Sequence, residues 1–235
     1  MITELTETVP CGDAGAMDLF IWEPAEPVGS VLLIQEIFGV GAYIRAVAQR
    51  LAEAGYVVGA PDVFWRFAPH WSAEHDEAGL AASFEKVQQL DVPQAIQDCV
   101  AAHERLDAVD RVDARPAVMG FCLGGTLAFG VAAAGTPSCC VSYYGSGVPE
   151  MLGMLDQVTC PTLFHFGNAD PFIPNEGVDA LSAAIAGRSN MTLNVEAAGH
   201  AFDNHEAEQF YAADPAAAAW RKTMSFLEAA RTTQV

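Results

Sequence analysis

Lysine is nearly absent. Lys86 and Lys222 are the only two in 235 residues, set against nine scattered arginines and 30 acidic residues, and the formal charge is −19. A nucleic-acid surface needs clustered Lys and Arg, so that partner class is disfavoured. Attachment to an anionic membrane is disfavoured for the same reason. Charged residues of both signs make up only 17% of the chain and hydrophobic ones 51%, which excludes a disordered or solvating acidic segment. The acidic balance reads as a soluble surface. No Cys-x-x-Cys pair is present, and His70, His75 and Asp76 fit no usual ligand spacing, so no metal is expected. The start, Met-Ile-Thr-Glu-Leu-Thr-Glu, lacks the basic and apolar regions of a secretory leader. Six irregularly spaced cysteines then read as free thiols in a reducing, cytoplasmic setting.

One long uncharged run is present. No charged residue lies between Pro116 and Pro149, enough length to span a bilayer. Glycines at 120, 124, 125, 130, 135, 145 and 147 argue otherwise. The run reads as buried strand, tight turn, buried helix and buried strand, because strands of a covered parallel sheet are also continuously apolar.

The rest of the chain alternates in the same way, without repeats or linkers. Strands are expected at Leu19–Trp22, Val31–Gln35, Tyr56–Ala60, Val118–Phe121, Cys139–Tyr144, Thr162–Phe166 and Thr192–Val195. Helical spacing marks Tyr43 to Ala54, Glu74–Leu90, Val92–Leu106, Leu123–Ala134, Pro174–Ala186 and Pro215–Ala230. This pattern predicts one α/β domain over residues 1–235, a mostly parallel sheet with helices on both faces. Ligands of such sheets sit beyond the C-terminal strand ends.

The residues just beyond each strand are therefore the candidates for chemistry. Gly120-Phe121-Cys122-Leu123-Gly124-Gly125 is a Gly-x-Cys-x-Gly strand-to-helix turn, the nucleophile elbow with Cys for Ser. The glycines fit a turn too sharp for flanking side chains. The thiol falls at a helix N-terminus, where the dipole favours thiolate, and the Leu123 amide faces a developing oxyanion. Asp170 comes after the strand ending at Phe166, and His200 after the strand ending at Val195. Nucleophile, acid and base thus occur in the order of α/β-hydrolases. His103 and His165 fall within a helix and a strand, and His70, His75 and His205 in polar loops. Glu36 interrupts an apolar run at a strand end, where burial of a carboxylate is costly unless it is paired or protonated. The Ile37 amide is the natural second oxyanion donor.

Gln35-Glu36-Ile37-Phe38-Gly39, the Cys122 elbow, Tyr143-Tyr144-Gly145, His165-Phe166-Gly167 with Asp170, and Gly199-His200-Ala201-Phe202 together resemble the dienelactone hydrolase family. The resemblance implies a single-domain α/β-hydrolase fold without a large lid and without metal or organic cofactor. It implies Cys122 as nucleophile, His200 as base, Asp170 as its orienter, and Glu36 as the partner governing the charge state of the thiol. The implied reaction is lactone or ester hydrolysis through a thioester on Cys122; the protein itself is expected as a monomer or homodimer.

The family's two carboxylate-binding arginines are not evident. Asn204 stands where one is expected after His200, and no arginine lies between Ala73 and Gln97. Arg66 is the nearest replacement, with His70 and His75 as weaker ones. Phe38, Tyr144, Asn204 and Arg66 are the candidate substrate contacts. The missing fork removes strong carboxylate recognition, so the alternative is an esterase or thioesterase for a neutral small substrate.

Overall fold

The computed structural model describes residues 1–12, 15–108, 112 and 114–232. Its strands are β1 (Ile2–Pro10), β2 (Ala16–Pro24), β3 (Gly29–Ile34), β4 (Tyr56–Pro61), β5 (Ala117–Phe121), β6 (Cys140–Tyr143), β7 (Thr162–Gly167) and β8 (Met191–Glu196). They form one sheet in the order β1-β2-β4-β3-β5-β6-β7-β8. The six strands from β4 to β8 in that order are parallel, and β2 pairs antiparallel with both β1 and β4.

The strands β3, β4, β5 and β6 are buried at every position. That is why they read as continuous apolar runs rather than alternating ones. β1 adds to the strands expected from the sequence. It lies at the sheet edge and buries only Val9, so it carries almost no apolar signal.

Among the described residues there are six α-helices, α1 (Ala42–Glu53), α2 (Glu77–Val87), α3 (Val92–Asp107), α4 (Leu123–Ala134), α5 (Asn175–Ile185) and α6 (Ala213–Thr232), of which α6 follows the last strand. A 3₁₀ segment, Val148–Gln157, adds to the helices expected from the sequence. The step from β3 to β4 runs one way along the sheet and the later steps run the other. Right-handed crossovers therefore put α1 on one face and α3, α4 and α5 on the opposite face. α6 joins α1, since the Arg50 guanidinium lies 3.7 Å from the Trp220 ring centroid. The molecule is an α/β-hydrolase fold.

One local difference arises from capping. α2 begins at Glu77 rather than Glu74, because the Asp76 side chain accepts the Gly79 amide and so fixes the helix start. Asp91 likewise caps α3 through the Gln94 amide, with Pro93 in the first turn. The uncharged run between Pro116 and Pro149 holds β5, the elbow, α4 and β6, and ten of the twelve α4 residues are buried. No helix among the described residues is long and apolar enough to cross a membrane.

The direction of chain crossing reverses around β3, so a crevice opens at the C-terminal ends of β3 and β5. Glu36 leaves β3 there, and Cys122 leaves β5.

Candidate active site

The elbow at Cys122 is a strained turn. Cys122 has φ 53° and ψ −116°, a conformation that L-residues rarely adopt. Strand β5 ends at Phe121 and α4 starts at Leu123, so a single residue makes the turn. The flanking glycines leave no room for a side chain. A Cβ on Gly120 would lie 2.0 Å from the Gly124 carbonyl oxygen, and one on Gly124 would lie 2.2 Å from that of Ile34. The Cys122 amide donates to the Tyr143 carbonyl at 3.0 Å and ties the turn to β6.

Asp170 and His200 come from the loops after the neighbouring strands β7 and β8. His200 Nδ1 lies 2.7 Å from Asp170 Oδ2, and His200 Nε2 lies 3.1 Å from the Cys122 sulfur. The other Asp170 oxygen accepts the amides of Phe172 and Ile173. That fixes the carboxylate against rotation. Asp170 and His200 are both buried. Burial alone would lower the His200 pKa. The adjacent Cys122 sulfur and the hydrogen bonds to Asp170 and Cys122 outweigh it and push the pKa up to about 10.

Glu36 is also buried, at 2% exposure. Its carboxylate does not bond the thiol. The Asn204 amide bridges both oxygens at 3.0 and 3.1 Å, and His75 Nε2 lies 2.5 Å from Oε1. The sequence places His75 in a polar loop. Its side chain is in fact 6% exposed and its ring stacks on Phe38 with centroids 4.2 Å apart. Nothing local in the sequence signals this. The segment before α2 folds back onto the β3 end, a long-range contact.

Cys122, His200, Glu36, His75 and Asn204 open into one cavity of about 150 Å³. Ile37 and Leu123, whose amides are the expected oxyanion donors, line it as well. Phe38, Leu80, Phe84, Val87, Phe172 and Phe210 supply an apolar wall. Three of these belong to α2, a helix that buries only Ser83 among its own residues. The α2 residues are not legible as site residues, because Leu80, Phe84 and Val87 resemble an ordinary core stripe.

Two of the expected substrate contacts lie elsewhere. Arg66 is outside the cavity lining and forms a two-point fork with Asp98 at 2.8 Å for each bond, joined there by the Trp65 indole. Its charge is already matched by a buried carboxylate. Tyr144 is fully buried behind the site, its ring 5.1 Å from that of His200 and its hydroxyl 3.5 Å from that of Tyr43. Phe38 and Asn204 do line the cavity. The weaker candidate His70 faces Asp18 at 2.7 Å, on a separate part of the surface. His70, His75 and Asp76 thus have three different partners: Asp18, Glu36 and the α2 N-terminus.

Behind the site, Asp203 accepts a hydrogen bond from the Tyr43 hydroxyl at 2.8 Å. Burial raises the Asp203 pKa, and the Tyr43 bond partly offsets that. Burial also holds Tyr43 and Tyr144 well above the usual phenol value, so both stay neutral. The network anchors the loop that carries His200 and Asn204.

The fold and the strand-end set of Cys, His and Asp define an α/β-hydrolase. A family model for the dienelactone hydrolase family matches residues 17–231. The chain is 31% identical over 220 residues to a carboxymethylenebutenolidase from Pseudomonas putida, with 92% of each chain covered. It is 33% identical over 189 residues to a carboxymethylenebutenolidase from Pseudomonas sp., covering 80% of this chain and 79% of that one. The fold is similar to that of a dienelactone hydrolase from Anabaena variabilis, at TM-score 0.69 and 18% identity over 97% of this chain and 98% of the other. A dienelactone hydrolase-like promiscuous phosphotriesterase from metagenomic libraries superposes at TM-score 0.81 and 22% identity, again over 97% and 98%. The chain belongs to the dienelactone hydrolase family and is a hydrolase of esters or lactones.

Proposed function

We propose that the protein is a cysteine-dependent hydrolase of small lactones, with dienelactone as the reference substrate. The observation that carries this reading is the Cys122–His200–Asp170 chain of contacts at 3.1 and 2.7 Å, opening into a cavity that Ile37 and Leu123 also line. The Cys122 thiolate attacks the lactone carbonyl carbon. The negative oxygen rests on the Leu123 and Ile37 amides. Collapse of the tetrahedral intermediate breaks the ring C–O bond and leaves a thioester on Cys122. The imidazolium of His200 gives its proton to the departing enolate oxygen. Neutral His200 then takes a proton from water, whose oxygen attacks the thioester, and the thiolate and imidazolium are restored. Asp170 holds His200 in the tautomer that presents Nε2 to the sulfur.

No Lys or Arg is among the residues lining the cavity, which is the feature behind the neutral-ester alternative. The likeness to carboxymethylenebutenolidases over most of the chain weighs for the lactone reading. Rapid quenching with dienelactone followed by mass spectrometry tests it. The expected result is an acyl adduct on the Cys122 peptide and complete loss of turnover once Cys122 is alkylated. Undiminished turnover after full alkylation overturns the reading.

A further inference from the structure

Cys122 shares its cavity with a second acid–base pair that the mechanism does not use. Glu36 and His75 both line that cavity. A carboxylate without a counter-charge there would oppose ionisation of the thiol, because like charges disfavour one another in a poorly solvated site. Glu36 has two hydrogen-bond partners. The neutral amide of Asn204 supplies no charge, so compensation falls to His75, 2.5 Å away. The two groups are in direct hydrogen-bond contact, and both side chains are nearly removed from water, at 6% and 3% exposure, where a bond between ionised partners is the strong kind. Phe38 packs against the imidazole and keeps it in place. The other titratable groups facing Glu36 are Tyr43 and Tyr144, which stay neutral, and the Cys122–His200 pair.

We propose that His75 is a positioning residue: it shares a proton with Glu36, keeps that pair without net charge beside Cys122, and so leaves the thiolate free to pair with His200. The inference rests on Cys122 being the nucleophile. No Lys or Arg lines the cavity to supply the compensating charge instead. Histidine performs the task from the segment before α2, so the apolar wall of the cavity and the ionisation of the thiol are tied to one side chain.

The test is the rate of iodoacetamide alkylation of Cys122 in the intact protein, measured over a pH series from mildly acidic to mildly basic and followed on its peptide by mass spectrometry. The other five cysteines are buried and do not compete. His75→Phe retains a ring against Phe38 but removes the proton. It is expected to move the alkylation profile to higher pH and to slow alkylation about tenfold at pH values below the wild-type midpoint, where one pKa unit changes the thiolate fraction tenfold. His75→Gln keeps a donor without charge and should slow alkylation likewise, which covers a failure of His75→Phe to fold. Adding Glu36→Gln to either variant should restore most of the rate, because the uncompensated charge is then gone. A residue that merely fills the wall would not be rescued in this way. Wild-type alkylation rates in both His75 variants, or no recovery on adding Glu36→Gln, overturn the proposal. Failure of the nucleophile reading is distinguishable, since it shows in the unmodified sequence as hydrolysis that survives complete alkylation.

Discussion

His200 Nδ1 lies 2.7 Å from Asp170 Oδ2, across 30 residues of sequence. The two side chains leave the ends of β7 and β8, which are paired in register from Thr162 with Met191 to Gly167 with Glu196. The sheet therefore sets the distance, and the Phe172 and Ile173 amides set the angle of the carboxylate. Asp170→Asn keeps an oxygen for those amides but replaces the oxygen facing His200 with an NH₂ donor. The imidazole then settles in the wrong tautomer. kcat is expected to fall by about 10²–10⁴ with little change in melting temperature, by analogy with serine triads. A loss below tenfold would remove Asp170 from the site.

Cys122→Ala removes the only sulfur that faces His200 among the described residues. Turnover should drop below a few per cent of wild type, the scale on which loss of a nucleophile is felt. Far-UV circular dichroism should stay unchanged, because the elbow is held by its glycines and by the Cys122 amide rather than by the thiol.

The His200 pKa of about 10 sets a pH window. A histidine raised above its unfolded value of about 6.5 contributes stability that is whole below that value and is lost as pH rises through the folded one. The melting temperatures of wild type and His200→Gln should therefore converge as pH is raised from 7 through about 10. A gap that stays constant over that range would contradict an imidazolium in the resting site.

Much of this site is legible in the sequence because strand, turn and helix are local. The Cys122 elbow, α4 from Leu123 to Ala134, and the loops carrying Asp170 and His200 can be read from glycine placement and apolar runs. Phe38 and Asn204 reach the cavity as expected. Arg66 does not, because Asp98 on α3 claims it from 32 residues away. His75 reads as a loop residue because its partner Glu36 is 39 residues distant and no periodicity reports such a contact. β1 escapes for the opposite reason. An exposed edge strand needs backbone pairing and little apolar burial, so its side chains carry no signal.

Gly124→Ala should be poorly tolerated. The added Cβ would lie 2.2 Å from the Ile34 carbonyl oxygen and 2.4 Å from that of Gln35, both backbone atoms that cannot rotate away. The elbow must separate from β3 to relieve the contact. A loss of about 1–3 kcal/mol in urea unfolding is expected, typical of overpacking, with hydrolysis falling as the sulfur moves. An unchanged urea midpoint would mean that the turn is not packed against β3.

His165 gives a prediction for acid. It is fully buried in β7 below the site, where its Nε2 donates to Thr223 Oγ1 at 3.0 Å and its Nδ1 accepts from the Asn194 amide at 2.9 Å. Burial, with a smaller push from Lys222, lowers its pKa to about 3. A histidine kept neutral in the fold but titrating near 6.5 when unfolded contributes fully above that value. The contribution is lost as pH falls through the window, at up to about 1.4 kcal/mol per pH unit. His165→Phe leaves Thr223 and Asn194 each without that partner and should cost about 1–3 kcal/mol near neutrality. It also removes the proton that drives this part of acid unfolding. The urea stability curves of the two proteins should therefore approach each other and then cross between pH 6.5 and about 3, since the wild type's loss over that interval exceeds the gap near neutrality and the carboxylates common to both cancel in the difference. Parallel curves over that interval would mean that His165 accepts its proton within the folded protein.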